Sequence, residues 1–262
     1  MLSDKLTLIV HSCQKFSDLW DAHFLLLDKN WDDRGVRTIL ATDEPTEWSH
    51  PGVEVFSAGK GKELSDRTKA VMSIVKTEYV LITLDDYFPI YPIDTKKIEY
   101  LVSVMEAEQL DYIRMFHRPW SFRKLKNYRK IFEIDLSEDY AVNLYAGIWR
   151  TSFAANTVRE SMNAWDYEVS LTAVARELGA HCAMSKNKDF PIMDTIRKGK
   201  LLTRAAKYFE KNPIYHGNRE IMRRRDEIRI ELMTISKFLM PDWMVNPVKS
   251  ALRKIGMNFF SK

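Results

Sequence analysis

The apolar positions fall into two alternating periods. Leu6 to Val10, Thr38 to Ala41, Val53 to Phe56, Tyr79 to Leu84 and Tyr112 to Phe116 are short β-branched or aliphatic runs, the pattern of strands in a covered sheet. Between them, apolar residues recur at helical spacing: Phe16, Leu19, Trp20, Phe24 and Leu27; Leu64, Val71, Ile74 and Val75 within 63–76; Ile98, Leu101, Val102 and Met105 within 95–108. A further helix is expected over 151–161, and another starting near Ala164. The first four strands and their helices run β-α-β-β-α-β with short connections, which predicts a mostly parallel α/β sheet flanked by helices.

The strand at Tyr79–Leu84 stops at two adjacent carboxylates, Asp85 and Asp86. Ligands of open α/β sheets bind at the carboxyl ends of the strands, and carboxylates there suit a divalent cation carrying phosphates, or a sugar. An acidic turn after a strand is the plainer alternative. Gly59-Lys60-Gly61 matches neither the dinucleotide fingerprint nor the P-loop, and reads as a turn. The segment 117–130 interleaves Trp120, Phe122 and Tyr128 with Arg118, Arg123, Lys124, Lys126 and Arg129. Such rings stack on sugars or on nucleic-acid bases, and a solvated loop is the third reading.

Charge divides the chain. Residues 195–262 hold 16 Lys and Arg against 6 Asp and Glu, whereas the rest holds 24 against 30. The expected organisation is therefore an α/β domain over 1–200 and a basic helical appendage over 201–262. Within the appendage, Ile221, Ile228, Leu232, Ile235 and Leu239 form a narrow seam over 219–239, suited to docking on the body of the protein or on a second copy. Leu252, Ile255, Phe259 and Phe260 alternate with Lys249, Arg253 and Lys254, so 241–262 suits an anionic membrane surface. No apolar run reaches the ~20 residues of a membrane span. The N-terminus lacks the apolar core of a signal peptide, which predicts a cytoplasmic protein held on the inner membrane face. Cys13 and Cys182 have no metal-site spacing, and the histidines show no i, i+4 pairing.

Taken in order, the small polar tip after the first strand, Asp43 after the second, Arg67 on the helix before the acidic strand, Leu84-Asp85-Asp86-Tyr87-Phe88, Ala146-Gly147-Ile148-Trp149 and Trp165-Asp166-Tyr167-Glu168 resemble the GT-A type of glycosyltransferase. The likeness is to the compact bacterial enzymes of capsular and O-antigen polysaccharide synthesis, and spans roughly residues 5–200. It departs from the Asp-x-Asp pattern, since Leu84 stands two residues before Asp86. The resemblance implies a GT-A fold and inverting transfer of a sugar from a nucleoside-diphosphate donor, UDP above all, to a saccharide or lipid-linked acceptor. It implies that Ser12, Asp43 and Arg67 hold the nucleotide, that Asp85 and Asp86 hold the sugar and Mn²⁺ or Mg²⁺, and that Arg197, Lys198 and Lys200 close on the diphosphate. Glu168 would be the general base, with Trp149 and Trp165 against the acceptor. A nucleic-acid-binding module built on the basic tail and 117–130, or a non-catalytic scaffold of this fold, are the alternatives.

Overall fold

A computed structural model describes residues 1–116, 118–187 and 189–230. Two compact units are present among the described residues, one comprising Met1–Thr195 with Phe209–Asn218, the other Ile196–Tyr208 with residues 219–230. The part of the 219–239 seam after Ile230, and all of 241–262, lie outside the described residues. None of the described helices is long and apolar enough to cross a membrane.

The first unit opens with α1 (Leu2–Lys5), β1 (Leu6–His11) and α2 (Trp20–Asn30), the last entered through a 3₁₀ turn at Gln14–Leu19. The sequence pattern predicts one helix from Phe16 to Leu27; the structure tightens its first turns and carries it three residues further. Then come β2 (Arg37–Thr42), β3 (Val53–Ser57), α3 (Leu64–Met72), β4 (Tyr79–Leu84), β5 (Tyr87–Phe88), α4 (Thr95–Ala107) and β6 (Tyr112–Arg114). The later half supplies β7 (Ile131–Glu133), β8 (Gly147–Arg150), α5 (Thr151–Asn156), α6 (Ala164–Glu177), β9 (Cys182–Ser185) and β10 (Met193–Asp194). The central sheet has eight strands in the order β3-β2-β1-β4-β8-β6-β9-β7. Only β8 and β7 run against the rest. It is the mostly parallel sheet with flanking helices expected of the GT-A class. Strands β7, β8 and β9 carry three or four residues each, too short to show a period in the sequence.

Strand phase builds the core in two layers. On β1, Leu6, Leu8 and Val10 face the layer of Trp20, Phe24, Ile98 and Leu101 from α2 and α4. Ile9 faces the opposite layer, where Leu64, Val71, Phe153, Tyr167 and Leu171 come from α3, α5 and α6. Strand β4 divides likewise: Tyr79 and Leu81 to the first layer, Val80 and Ile82 to the second. Successive side chains of a strand alternate faces.

One glycine is required by packing. A Cβ on Gly147 would lie 2.7 Å from Cε2 of Tyr112 and 3.1 Å from the Ile113 carbonyl oxygen. The bare backbone of β8 leaves room for the Tyr112 ring over Gly147, where it meets Trp149 at 49° with centroids 4.4 Å apart.

In the second unit β11 (Ile196–Arg197) and β12 (Lys200–Leu201) form a hairpin turned at Lys198 and Gly199, both at positive φ. Helix α7 spans Thr203–Lys211, of which 203–208 belong to this unit.

Candidate active site

The carboxyl ends of β1, β2 and β4 meet in one place. Ser12 follows β1, and its backbone N–H donates to the Ala41 carbonyl of β2 at 2.9 Å. Asp43 follows β2 and accepts from the Gln14 N–H at 2.7 Å, which pins the two strand tips together. Asp85 follows β4, and its N–H donates to the His11 carbonyl at 3.1 Å, so the β1–β4 ladder runs on into the acidic pair.

The two carboxylates have different surroundings. Asp85 continues the face of Tyr79 and Leu81 and is only 6% exposed. Its carboxylate accepts the Ser12 hydroxyl, which in turn accepts from Trp20 Nε1 at 2.6 Å. His23 Nδ1 lies 2.9 Å from the Asp85 carbonyl oxygen. A carbonyl only accepts, so Nδ1 carries the proton, and burial holds this imidazole neutral, its pKa lowered to about 4. Asp85 is therefore fixed inside a buried network beneath α2. Asp85 thus has partners of its own within the fold, whereas Asp86 is the member of the pair whose charge acts on Tyr87.

Asp86 completes the turn between β4 and β5. Its carbonyl is held by the Thr195 N–H at 2.9 Å and the Thr195 hydroxyl at 2.8 Å. The next residue, Tyr87, marks what gathers here. Burial pushes its phenol well above the usual range, and the charges of Asp86, Asp194 and Glu168 push further the same way. Asp194 reaches this point because β10 pairs with β5, Asp194 opposite Tyr87. Glu168 reaches it from α6, whose start is set by Asn163: its side chain accepts from the N–H groups of Trp165 and Asp166. Tyr167 then locks α6 to the fold, buried with its hydroxyl 2.7 Å from that of Thr157. Glu168 Oε1 accepts the Leu144 N–H at 3.2 Å. Burial raises the Glu168 pKa, and that hydrogen bond partly opposes the rise. A carboxylate whose charged form is penalised by its surroundings is a stronger base than an ordinary glutamate.

On the other side of the edge, Cys13 senses the nucleotide-side candidates together. Burial first, then Asp85 and Asp43, raise its thiol pKa, and Arg67 opposes them. Arg67, on α3, donates through Nη1 to the Lys62 carbonyl at 2.8 Å, while its buried Nε has no hydrogen-bond partner. Beside it His11 is buried and neutral, its pKa lowered to about 3 by burial and by the Arg67 charge.

Five sequence candidates remain. Trp165 stands 59% exposed one turn before Glu168. Trp149 is 2% exposed, stacked on Phe153 at 5.8 Å in the second core layer, and has no surface to offer an acceptor. Its strand phase puts it inward, and the sequence alone did not reveal that phase. Arg197, Lys198 and Lys200 lie on the β11–β12 hairpin of the second unit, where Lys200 pairs with Glu220 at 2.8 Å. Tyr87, Asp194 and His23 were not among the sequence candidates. Only Tyr87, next to the acidic pair, carried a signal that could have found it.

Among the described residues no group of three or more His, Cys, Asp or Glu is arranged to hold a metal ion by itself. Mg²⁺ and Mn²⁺ in phosphate-handling sites are commonly held by one or two carboxylates, the substrate's phosphates completing the shell. Asp86 and Asp194, whose charges both act on Tyr87, are the carboxylates that would hold such an ion.

No protein-family description and no curated protein sequence matches the chain. Among solved structures, residues 1–349 of TarS from S. aureus are similar at 13% identity and TM-score 0.49, over 71% of this chain and 59% of that one. The mannosyltransferase PcManGT from Pyrobaculum calidifontis, solved with GDP-Man and Mn²⁺, is similar at 11% identity and TM-score 0.49, over 82% and 65%. A cytidylyltransferase from Leptospira borgpetersenii is similar at 11% identity and TM-score 0.45, over 82% and 98%. The chain thus spans about three fifths of the TarS chain. Overlaps of this depth leave residue roles to the geometry of the site itself.

Proposed function

We propose that the chain is a nucleoside-diphosphate-sugar-dependent glycosyltransferase that transfers with inversion. The observation that carries the reading is the gathering of Asp86, Asp194 and the raised-pKa Glu168 around Tyr87, at the strand edge that also bears Asp43, with Arg67 of α3 acting on Cys13 beside it. Asp43 suits a ribose hydroxyl, and the buried, unpartnered Nε of Arg67 suits a nucleobase or phosphate oxygen. Ser12 contributes indirectly, by holding Asp85 and so the strand tip. A Mn²⁺ or Mg²⁺ on Asp86 would offset charge on the leaving diphosphate.

Glu168 takes the proton of the acceptor hydroxyl while that oxygen bonds to the anomeric carbon. The carbon–oxygen bond to the diphosphate breaks, its electron pair leaving with the phosphate. One displacement from the face opposite the leaving group inverts the anomeric centre. Trp165, exposed one turn away, offers a ring for the acceptor sugar to stack on.

Calorimetric titration of UDP and GDP with Mn²⁺ tests the donor half. Wild type should bind at least one of them, and Asp86→Ala should weaken that binding at least about tenfold, a loss of ~1.4 kcal/mol. Equal affinity in both proteins would remove Asp86 from the site.

A further inference from the structure

The aromatic and basic segment after β6 is not used by the donor chemistry, and its construction is unusual. From residue 117 to 130 the sequence holds six Lys and Arg and no Asp or Glu. All six are exposed, and only Arg123 has a carboxylate within ion-pair distance among the described residues, Glu133 at 2.7 Å. Two large rings stand out from the same segment, Trp120 at 53% and Phe122 at 82% exposure. A cation lies over each: Arg118 Cζ is 5.8 Å from the Trp120 ring centroid, and Lys186 Nζ is 5.4 Å from that of Phe122.

The backbone beneath these rings is tied down. Arg114, 1% exposed, donates to the carbonyls of Phe116 at 2.9 Å, Pro119 at 2.6 Å and Ala141 at 2.6 Å. Leu125 is buried, and its N–H donates to the Ile131 carbonyl at 3.0 Å. The Glu133 N–H donates to the Arg123 carbonyl at 2.8 Å. Exposed rings on an immobilised backbone lose little conformational freedom when a ligand stacks on them.

The segment is also continuous with the site. β6 runs parallel to β4, so the loop leaves the same sheet edge that bears Asp85 and Asp86. The Tyr87 ring meets Tyr145 at 5.2 Å, and Tyr145 stacks on Phe116 at 4.2 Å and 22°. A path of rings thus leads from the acidic edge to the foot of the loop.

We propose that residues 118–130, with Lys186, form an acceptor-binding arm that selects an anionic saccharide, its sugar faces on Trp120 and Phe122 and its carboxylates or phosphates on the unpaired cations of the loop. This rests on the glycosyltransferase reading, and names the acceptor class for that site. The charge pattern favours a saccharide over nucleic acid. Asp86, Asp194 and Glu168 repel a ligand that bears a phosphate at every unit, whereas a saccharide presents an uncharged hydroxyl there and its anions over the arm.

Titration of the full chain with a galacturonate hexamer, its methyl ester and an oligothymidylate, at low and high salt, tests the arm. The hexamer should bind at least about tenfold more tightly than its uncharged ester, and binding should weaken with salt. Trp120→Ala and Phe122→Ala should each weaken it about tenfold, and Lys124→Glu with Lys126→Glu should reduce the salt dependence. All these residues are exposed, so circular dichroism and UDP affinity should stay at wild-type values. The arm is overturned if hexamer and ester bind alike, if the ring variants bind as wild type does, or if oligothymidylate binds more tightly than the hexamer. UDP binding without hexamer binding overturns the arm and leaves the proposed function standing. Hexamer binding without UDP or GDP binding overturns the glycosyltransferase reading, and with it the role of the arm as an acceptor site.

Discussion

Replacing Glu168 by Gln should move two observables in opposite directions. The substitution keeps the side chain's size, and the amide oxygen can still accept the Leu144 N–H that Oε1 now receives at 3.2 Å. What it removes is the negative charge that burial disfavours. As general base, Glu168 would account for roughly 10²–10⁴ in turnover, or about 2.7–5.5 kcal/mol of barrier. Turnover should fall by that factor while UDP or GDP affinity survives. Stability should rise. The folded pKa of Glu168 lies above its unfolded value, so the native state holds the proton longer, and wild-type stability declines as pH rises from the ordinary glutamate pKa of 4.5 through the raised one. At neutral pH the wild type bears that cost and Gln does not. For a protein of this size ~1 kcal/mol moves the unfolding midpoint by about 2–4 °C.

Scanning calorimetry at acid and neutral pH, beside a donor-turnover assay over the same range, reads both effects. The stabilisation by Gln should vanish in acid, where wild-type Glu168 is itself protonated. Wild-type turnover should fall on acidification through a midpoint above 4.5, a limb missing from the variant's residual rate. A variant that turns over within a few-fold of wild type would assign the base elsewhere. One that loses turnover with no rise in neutral-pH stability would refute burial as the source of its basicity.

Three further substitutions test the frame around the site. Gly147→Ala drives a Cβ to 2.7 Å from the buried Tyr112 ring, and should cost about 1–3 kcal/mol in denaturant unfolding, reduced when Tyr112→Leu is added. Ser12→Ala takes the donor from Asp85 and the acceptor from Trp20 Nε1, and should lower stability by roughly 1–3 kcal/mol, with Ser12→Thr recovering most of it. Arg114→Lys cannot supply the planar fork that reaches three carbonyls, so it should cost ~1–3 kcal/mol, and hydrogen exchange in 116–130 should quicken.

The parallel half of the sheet was legible because β1, β2, β3 and β4 each carry five or six residues with helices of regular period between β1 and β2 and between β3 and β4. The later half was not. β7, β8 and β9 owe their place to partners distant in sequence, as when β8 enters between β4 and β6 through Val80 opposite Trp149 and Tyr112 opposite Trp149. A four-residue strand fixed by its neighbours leaves only a weak trace of its own. Trp149 shows the consequence, since an aromatic beside Gly147 in an unassigned stretch looks available, and becomes core once β8 gives it a face.

The acidic pair was half legible. Tyr79–Leu84 reads as a strand, and the β1–β4 ladder extends to Asp85, where the chain turns. Asp85 and Asp86 each have surroundings of their own. The identity of those surroundings required three dimensions: Ser12, Trp20 and His23 enclose Asp85, while Asp194 and Glu168 approach Asp86 and Tyr87 through a β10 strand of two residues and a helix more than 75 positions away. The division also gives the first aspartate a purpose. A carboxylate satisfied from within holds the β4 tip against β1, so that the second is presented from a fixed backbone. Asp85→Asn, which keeps the shape and the Ser12 partner, should therefore weaken nucleotide binding far less than Asp86→Asn, whereas two equal chelators would lose it alike.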